Sequence, residues 1–223
     1  MMATPDLMKN LNISVSVRTV VSAVALVVCA IGLTGCLART PLKQQTFAFG
    51  SPDAATNSVA ANTGAHVLAI RKLQVAAPFD SRALVYRTGE FAYANDPYAA
   101  FLQAPGDSLL ASIRGGLCQH GDFSAVVDTG SALKADTLVE IYVSQLYGDF
   151  RQPKKPAAVL AVQFIFFDAT NGIAAKPLIQ KEYSQSIPLD KPTAAALVKG
   201  WNKALGEILT DASSDYRQAK SAE

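Results

Sequence analysis

The sequence predicts an α+β domain, a mostly antiparallel sheet with two main helices packed on one of its faces. Three observations carry that expectation. Runs of β-branched and aromatic residues are bounded by Gly, Pro, Asn and Asp clusters. Two segments carry apolar residues at helical spacing. The order along the chain is strands, helix, antiparallel strands, helix, the arrangement of a sheet with its helices segregated to one face.

The first 35 residues stand apart from this domain. Lys9 and Arg18 precede an apolar segment that begins near Val20 and carries no charge through Ile31. That is too short to cross a bilayer core comfortably, which takes about 20 residues. A positive start, a short apolar stretch and small residues before a cut site make a secretory signal peptide. The run Leu33-Thr34-Gly35-Cys36 then resembles a bacterial lipobox, in which the cysteine thiol is acylated and cleavage leaves that cysteine first. The plainer alternatives are an ordinary signal peptide or a helix that stays in the membrane. On the lipobox reading the chain divides into a signal peptide (1–35), a lipidated Cys36 with a polar tether (36–46) and one domain (47–223). Covalent lipid on Cys36 is the only prosthetic group expected.

Phe47-Ala48-Phe49 alternates weakly and reads as a first short strand, followed by a Ser-, Asn-, Thr-, Ala- and Gly-rich loop from Ser51 to Gly64. His66 to Val75 interleaves Val67, Leu68, Ile70, Leu73 and Val75 with charge and predicts a strand that Pro78 stops. Leu84–Arg87 and Glu90–Tyr93 flank Thr88-Gly89 as a two-residue hairpin turn, and Asn95-Asp96-Pro97 is a further turn. Pro105-Gly106-Asp107-Ser108 opens a helix with Asp107 or Ser108 as N-cap; Leu109, Leu110, Ile113 and Leu117 share one face, and Gly121 caps the end. Strands follow over Phe123–Val127, Leu138–Phe150 and Ala157–Phe167, and Asn171-Gly172 turns the last of these back onto residues 177–187. Asp190, as a cap, and Pro192 begin the final helix, whose stripe is Leu197, Trp201, Ala204, Leu205, Ile208 and Ala212.

Composition excludes several functions. Twenty basic and 18 acidic side chains leave no basic footprint for nucleic acid. With Cys29 in the leader and Cys36 acylated, Cys118 has no partner for an internal disulfide, and its helical setting reads as a buried structural thiol. His66 and His120 are the only histidines, one at a strand start and one at a helix end, and neither is joined by a nucleophile motif. No metal-ligand spacing occurs. Asp211 and Asp215, four apart, read as a solvated helix face. The expectation is a protein that is not an enzyme.

The stretch FDSRALVYRTGEFAYANDPYAAFLQAPGDSLLASIRGGL, from Phe79 to Leu117, is similar to the auxiliary lipoprotein component of ABC-type transport systems, the family that includes the paraquat-inducible protein C type. The lipobox, the Phe47-Ala48-Phe49 start, the Val85-Tyr86-Arg87 strand, the helix led by Pro105 with Leu109 and Leu110, and the alanine-rich helix from Ala194 to Leu209 carry the resemblance. Two departures are Phe101 where the family often has tryptophan, and Phe47 where tyrosine is common. The resemblance implies a docking or bridging part of an ABC lipid transport system with mammalian-cell-entry (MCE) domains. Its partners would be an MCE-domain protein and a permease–ATPase complex, and it leaves self-association open. It also implies a lipid anchor on the periplasmic face of the outer membrane, since Leu37 replaces the aspartate that retains enteric lipoproteins at the inner membrane. Tyr86, Arg87, Tyr93 and Phe101 are the candidate partner-binding residues, with Tyr86 and Arg87 alternatively a cross-strand pair that supports the hairpin. A competing reading is a lipid carrier that holds an acyl chain in an apolar cavity.

Overall fold

One long strand organises the sheet. In the computed structural model, which describes residues 44–50, 66–120, 122–170 and 176–222, β6 (Thr137–Asp149) lies at the centre. One edge of β6 pairs antiparallel along its whole length with β7 (Ala157–Asp168), which pairs in turn with β8 (Lys176–Pro188). The other edge is shared. The first half of β6 takes β2 (His66–Val75) and the second half takes β3 (Ala83–Arg87), both parallel. A short 3-10 turn, Ala77–Phe79, interrupts what is otherwise one strand, so Pro78 ends β2 inside this turn.

Beyond β2 lies β5 (Phe123–Asp128), parallel to it; beyond β3 lies β4 (Tyr93–Phe101), antiparallel, and then β1 (Gln45–Phe47), parallel to β4. The sheet is therefore mixed. Its antiparallel pairings hold most of the paired residues, and the parallel ones are those of β2 and β3 on β6, β5 on β2 and β1 on β4.

Two helices lie on one face: α1 (Pro105–Gln119) against β2 and β5, and α2 (Ala194–Ser221) against β7 and β8. Alternation explains which side they cover. Ala158, Leu160, Val162, Phe164 and Phe166 on β7 are all essentially sealed from solvent, while Gln163, Ile165 and Phe167 between them are half-exposed. The expected stripe of α2 is buried in full, from Leu197 to Ala212, and Tyr216 extends it by a turn. None of the helices among the described residues is long and apolar enough to cross a membrane.

Local chemistry sets several boundaries differently from the sequence expectation. β1 ends at Phe47, and Phe49 leaves the strand to enter the core at 6% exposure. The β3–β4 turn spans residues 88–92, not two, because Ala92 O accepts both Thr88 N–H (2.9 Å) and Gly89 N–H (3.3 Å). Asn95-Asp96-Pro97 does not end β4. It forms a bulge within it, where the Asp96 carboxylate accepts the amides of Tyr98 (2.7 Å) and Ala99 (3.0 Å). Ala104, not Asp107 or Ser108, is the N-cap of α1; Pro105 supplies the first turn, and Ser108 is buried one turn in. Thr193, not Asp190, caps α2, its hydroxyl accepting from Ala196 N–H at 3.2 Å. Cys118 is half-buried instead of sealed. The cap assigned to Gly121, the 51–64 loop and the Asn171-Gly172 turn lie outside the described residues.

Asp215 is no solvated surface group. It accepts from Lys181 Nζ (2.6 Å) and Tyr183 Oη (2.8 Å), tying α2 to the edge strand β8. The lysine first, and then the tyrosine hydroxyl, hold its carboxyl below the usual carboxylate range. Its contribution is thus present at neutral pH and is lost as pH falls through that lowered value.

Helix and sheet approach closely at Gly200, and the two helices approach closely at Gly116. A Cβ on Gly200 would stand 2.6 Å from Ala158 Cβ and 3.0 Å from Leu189 Cδ2, and one on Gly116 would stand 2.4 Å from Leu209 Cδ1. Gly115, one residue away, faces open space. Gly200→Ala should therefore destabilise by about 1–3 kcal/mol through overpacking. Gly115→Ala should stabilise by up to about 1 kcal/mol through helix propensity alone. Urea denaturation of the two variants checks this; equal effects of the same sign would show that the interlayer contact is not tight.

Candidate functional site

The pairing of Arg87 with both Tyr93 and Asp149 brings the β3–β4 hairpin and the β6–β7 connection to the same end of the sheet. Phe150 N–H donates to Arg87 O at 2.9 Å and locks the junction. Because side chains alternate across the strands, Tyr86 and Arg87 point to opposite faces.

Tyr86 lies on the helix side. Its ring meets Phe150 edge-on, with centroids 4.9 Å apart, over Gly148, where a Cβ would stand 3.0 Å from the Tyr86 ring. Its hydroxyl donates to Asp96 Oδ2 in the β4 bulge. Burial first, then the Asp96 carboxylate, pushes the phenol well above the usual tyrosine range, so it stays a donor at every physiological pH.

Arg87 lies on the other side, between two rings. Its guanidinium carbon is 5.8 Å from the Tyr93 centroid and 5.9 Å from that of Tyr147, while Nη2 donates to Glu90 O at 2.7 Å inside the turn. Its Nε is buried without an acceptor. Phe79 from the 3-10 turn completes this group against Tyr147 (5.9 Å) and Tyr93 (6.4 Å). These are cation–π and edge-to-face contacts that hold the hairpin down on the sheet.

The four residues first assigned to a partner thus separate. Tyr86 and Arg87 are half-buried and engaged within the fold. Phe101 is a correction: at 2% exposure it belongs to the core, tilted against Phe49 and Trp201, and cannot touch a partner. Tyr93 is 49% exposed and reaches the surface. The apolar surface of β4 and its turn lies with residues that sequence reasoning passed over, namely Phe91 (88%), Tyr98 (59%) and Leu102 (61%). Only the accessible area of a folded turn distinguishes them from core residues of the same type.

Beside Tyr93, the β6–β7 connection exposes Arg151, Lys154 and Lys155. Arg151 grips Asp149 through Nη2 at 2.6 Å and Nε at 3.0 Å, and this bond holds the Asp149 carboxyl below the usual range. Cys36 lies outside the described residues.

At the opposite end of the sheet, His66 Nδ1 stands 3.0 Å from Asp136 Oδ2, a pair the sequence did not suggest because 70 residues separate its members. Asp136 Oδ1 also accepts Val67 N–H (3.2 Å) and the Thr137 hydroxyl (3.2 Å), and Thr137 Oγ1 meets Tyr216 Oη at 3.0 Å. Among the described residues no hydroxyl or thiol bonds the imidazole, and no three His, Cys, Asp or Glu side chains are grouped as a metal site would need. The pair therefore reads as a tie between strand ends that also holds the last turns of α2. Nearby, Arg217 bonds Asp122 at 2.9 Å and Lys220 stands 3.5 Å from Asp168.

Residues 47–212 match the family described as the ABC-type transport auxiliary lipoprotein component. No match to a curated protein reaches significance. Among solved structures, a DUF330-family protein from Xanthomonas campestris superposes with a TM-score of 0.60 at 17% identity, over 74% of this chain and 93% of its own. A second, described as an uncharacterized protein, gives 0.56 at 12% identity, over 68% and 92% of the two chains. At such identity the likeness is one of fold.

If Tyr86 and Arg87 serve the fold, the Tyr86→Ala/Arg87→Ala double variant should lose about 2–4 kcal/mol of stability, since it deletes a half-buried ring, a hydrogen bond to a carboxylate and the turn anchor. Thermal and urea unfolding measure this. An undiminished stability would return both residues to the surface and to a partner.

Proposed function

The chain belongs to the ABC-type transport auxiliary lipoprotein component family, and from that membership we propose that it works as a non-catalytic, lipid-anchored docking part of an MCE-type ABC lipid transport system. The anchor is the diacylated Cys36, and the membrane is the outer one, on its periplasmic face. Leu37 after the cysteine supports that side. The family match is the observation that carries the reading, and the fold is consistent with it.

Because both helices pack on one face, the other face of the sheet is left for contact. There Tyr142, 40% exposed, stands among Lys72, Gln74, Glu140 and Gln163, on a surface stiffened by the Arg71–Glu140 ion pair (3.0 Å) and by Arg71 over the Phe167 ring (4.8 Å). An aromatic ring ringed by polar groups on rigid strands is the composition of a protein–protein contact. We assign the MCE-domain partner to this face. The competing lipid-carrier reading requires space between sheet and helices. The close approach of Gly200 on α2 to Ala158 on β7 weighs against such space.

Two measurements test the proposal. Cys36→Ala should abolish incorporation of a clickable fatty acid and leave an uncleaved precursor; equal labelling of variant and wild type would refute the anchor. Tyr142→Ala should keep its stability within about 0.5 kcal/mol, as an exposed substitution does, yet reduce co-purification of the MCE protein at least tenfold, while replacing His66 and His120 together leaves lipid traffic running. Transport lost with the histidines, or unchanged recovery from Tyr142→Ala, would contradict the scheme.

A further inference from the structure

The direction in which β1 enters the sheet distinguishes the two ends of the domain. β1 runs parallel to β4, with Gln45 beside Ala99 and Phe47 beside Phe101. The N-terminal end of β1 therefore points along β4 toward its beginning, at Tyr93 and the 88–92 turn. β1 is held in that direction from both sides: Leu102 N–H donates to Phe47 O at 2.7 Å, and Gly50 N–H donates to Asn202 Oδ1 on α2 at 2.7 Å.

Reach agrees with direction. The ladder from the Ala83–Ala100 pair to the Arg87–Tyr93 pair covers four strand steps, about 13 Å. The chain from Cys36 to Gln45 can extend to about 30 Å. That contour length exceeds the distance to the hairpin tip, so a lipid on Cys36 leaves the tip free to reach the lipid surface.

What the tip carries suits that surface. Phe91 is 88% exposed and Tyr93 49% exposed, and neither exposure is required by the turn. A tyrosine ring favours the headgroup level of a bilayer, where its apolar body and polar hydroxyl both find a solvent, and a phenylalanine ring favours the acyl boundary just beneath it. Arg151, Lys154 and Lys155 on the adjoining connection are exposed beside them, placed to meet lipid phosphates. The acidic groups at this end include Glu90, Asp96, Asp149 and Asp190; Asp149 is bound by Arg151 and Asp96 accepts from Tyr86.

We propose that the β3–β4 hairpin tip, through Phe91 and Tyr93 with the Arg151–Lys155 connection, is a second membrane contact that seats on phospholipid headgroups beside the lipid anchor. The proposal rests on the acylation of Cys36. It deepens the docking scheme by orienting the domain, the hairpin end toward the bilayer and the His66–Asp136 end toward the periplasm.

The test uses mature, acylated protein with Cys118→Ala, reconstituted on vesicles of phosphatidylethanolamine and phosphatidylglycerol. A nitrobenzoxadiazole probe is attached at Phe91→Cys, or at Tyr142→Cys on the sheet face as a control. Mass spectrometry first establishes acylation at Cys36, so an absent lipid refutes the anchor separately from the hairpin contact. The expected result is a blue-shifted probe at position 91, quenched by doxyl-labelled phospholipid, with a water-exposed, unquenched probe at 142. A probe at 91 as hydrated as the one at 142 overturns the proposal. So does a probe at 91 that becomes shielded only when the MCE protein is added, which would make the tip a protein contact.

Discussion

The indole of Trp201 is the contact on which the rest of the domain depends. It is fully buried in α2, and its N–H donates to Val159 O on β7 (3.1 Å) and Tyr147 O on β6 (3.3 Å). One side chain thus fixes the long helix across the two central strands. Its ring also closes an aromatic cluster, with Phe101 of β4 at 5.7 Å and Phe49 after β1 stacked at 6.4 Å. Burying a ring of this size while satisfying its one donor is worth several kcal/mol, about 3–5 on truncation. Helix, central strands, hairpin and entering chain all meet at this residue.

That convergence gives the molecule two unlike ends. At one, Arg87 between Tyr93 and Tyr147, with Tyr86 on Asp96, makes a stiff hairpin whose tip still projects aromatic surface. At the other, polar ties involving Asp136, Asp122 and Asp168 hold strand ends and the close of α2 together. Aromatic rings thus dominate one end of the sheet and ion pairs the other.

Much of this was legible in the sequence. The strand His66–Val75 is legible to the residue, the antiparallel return of β8 on β7 in two β-rich runs close in sequence, and the buried stripe of α2 in its 3.6-residue period. These are local signals repeated over ten or more residues. The misses share a different cause. That β2 and β3 sit on the same edge of β6 is a property of pairing between distant segments. The Asp96 bulge reads like a turn because aspartate and proline make either. Thr193 and Asp190 are both competent caps, and only the helix start chooses between them. The site divided in the same way. Sequence marked the right hairpin but could not tell a ring engaged inside, such as Tyr86, from one displayed outside, such as Phe91. Phe101 fills the place of a family tryptophan and is absorbed into the cluster around Trp201.

The central claim is that β1 is locked to the core through Phe49 and Gly50, so that the chain enters the domain in one direction. Hydrogen exchange on the acylated protein and its Phe49→Ala variant tests it most directly. In the wild type the amides of Gly50 and Leu102, which bond Asn202 and Phe47, should be protected. In the variant both should exchange at least tenfold faster while β6, β7 and β8 keep their protection, because the opening is local. Wild-type amides at these two positions exchanging at the rate of an unstructured chain would contradict the account, since the entering strand would then have no fixed direction on the domain.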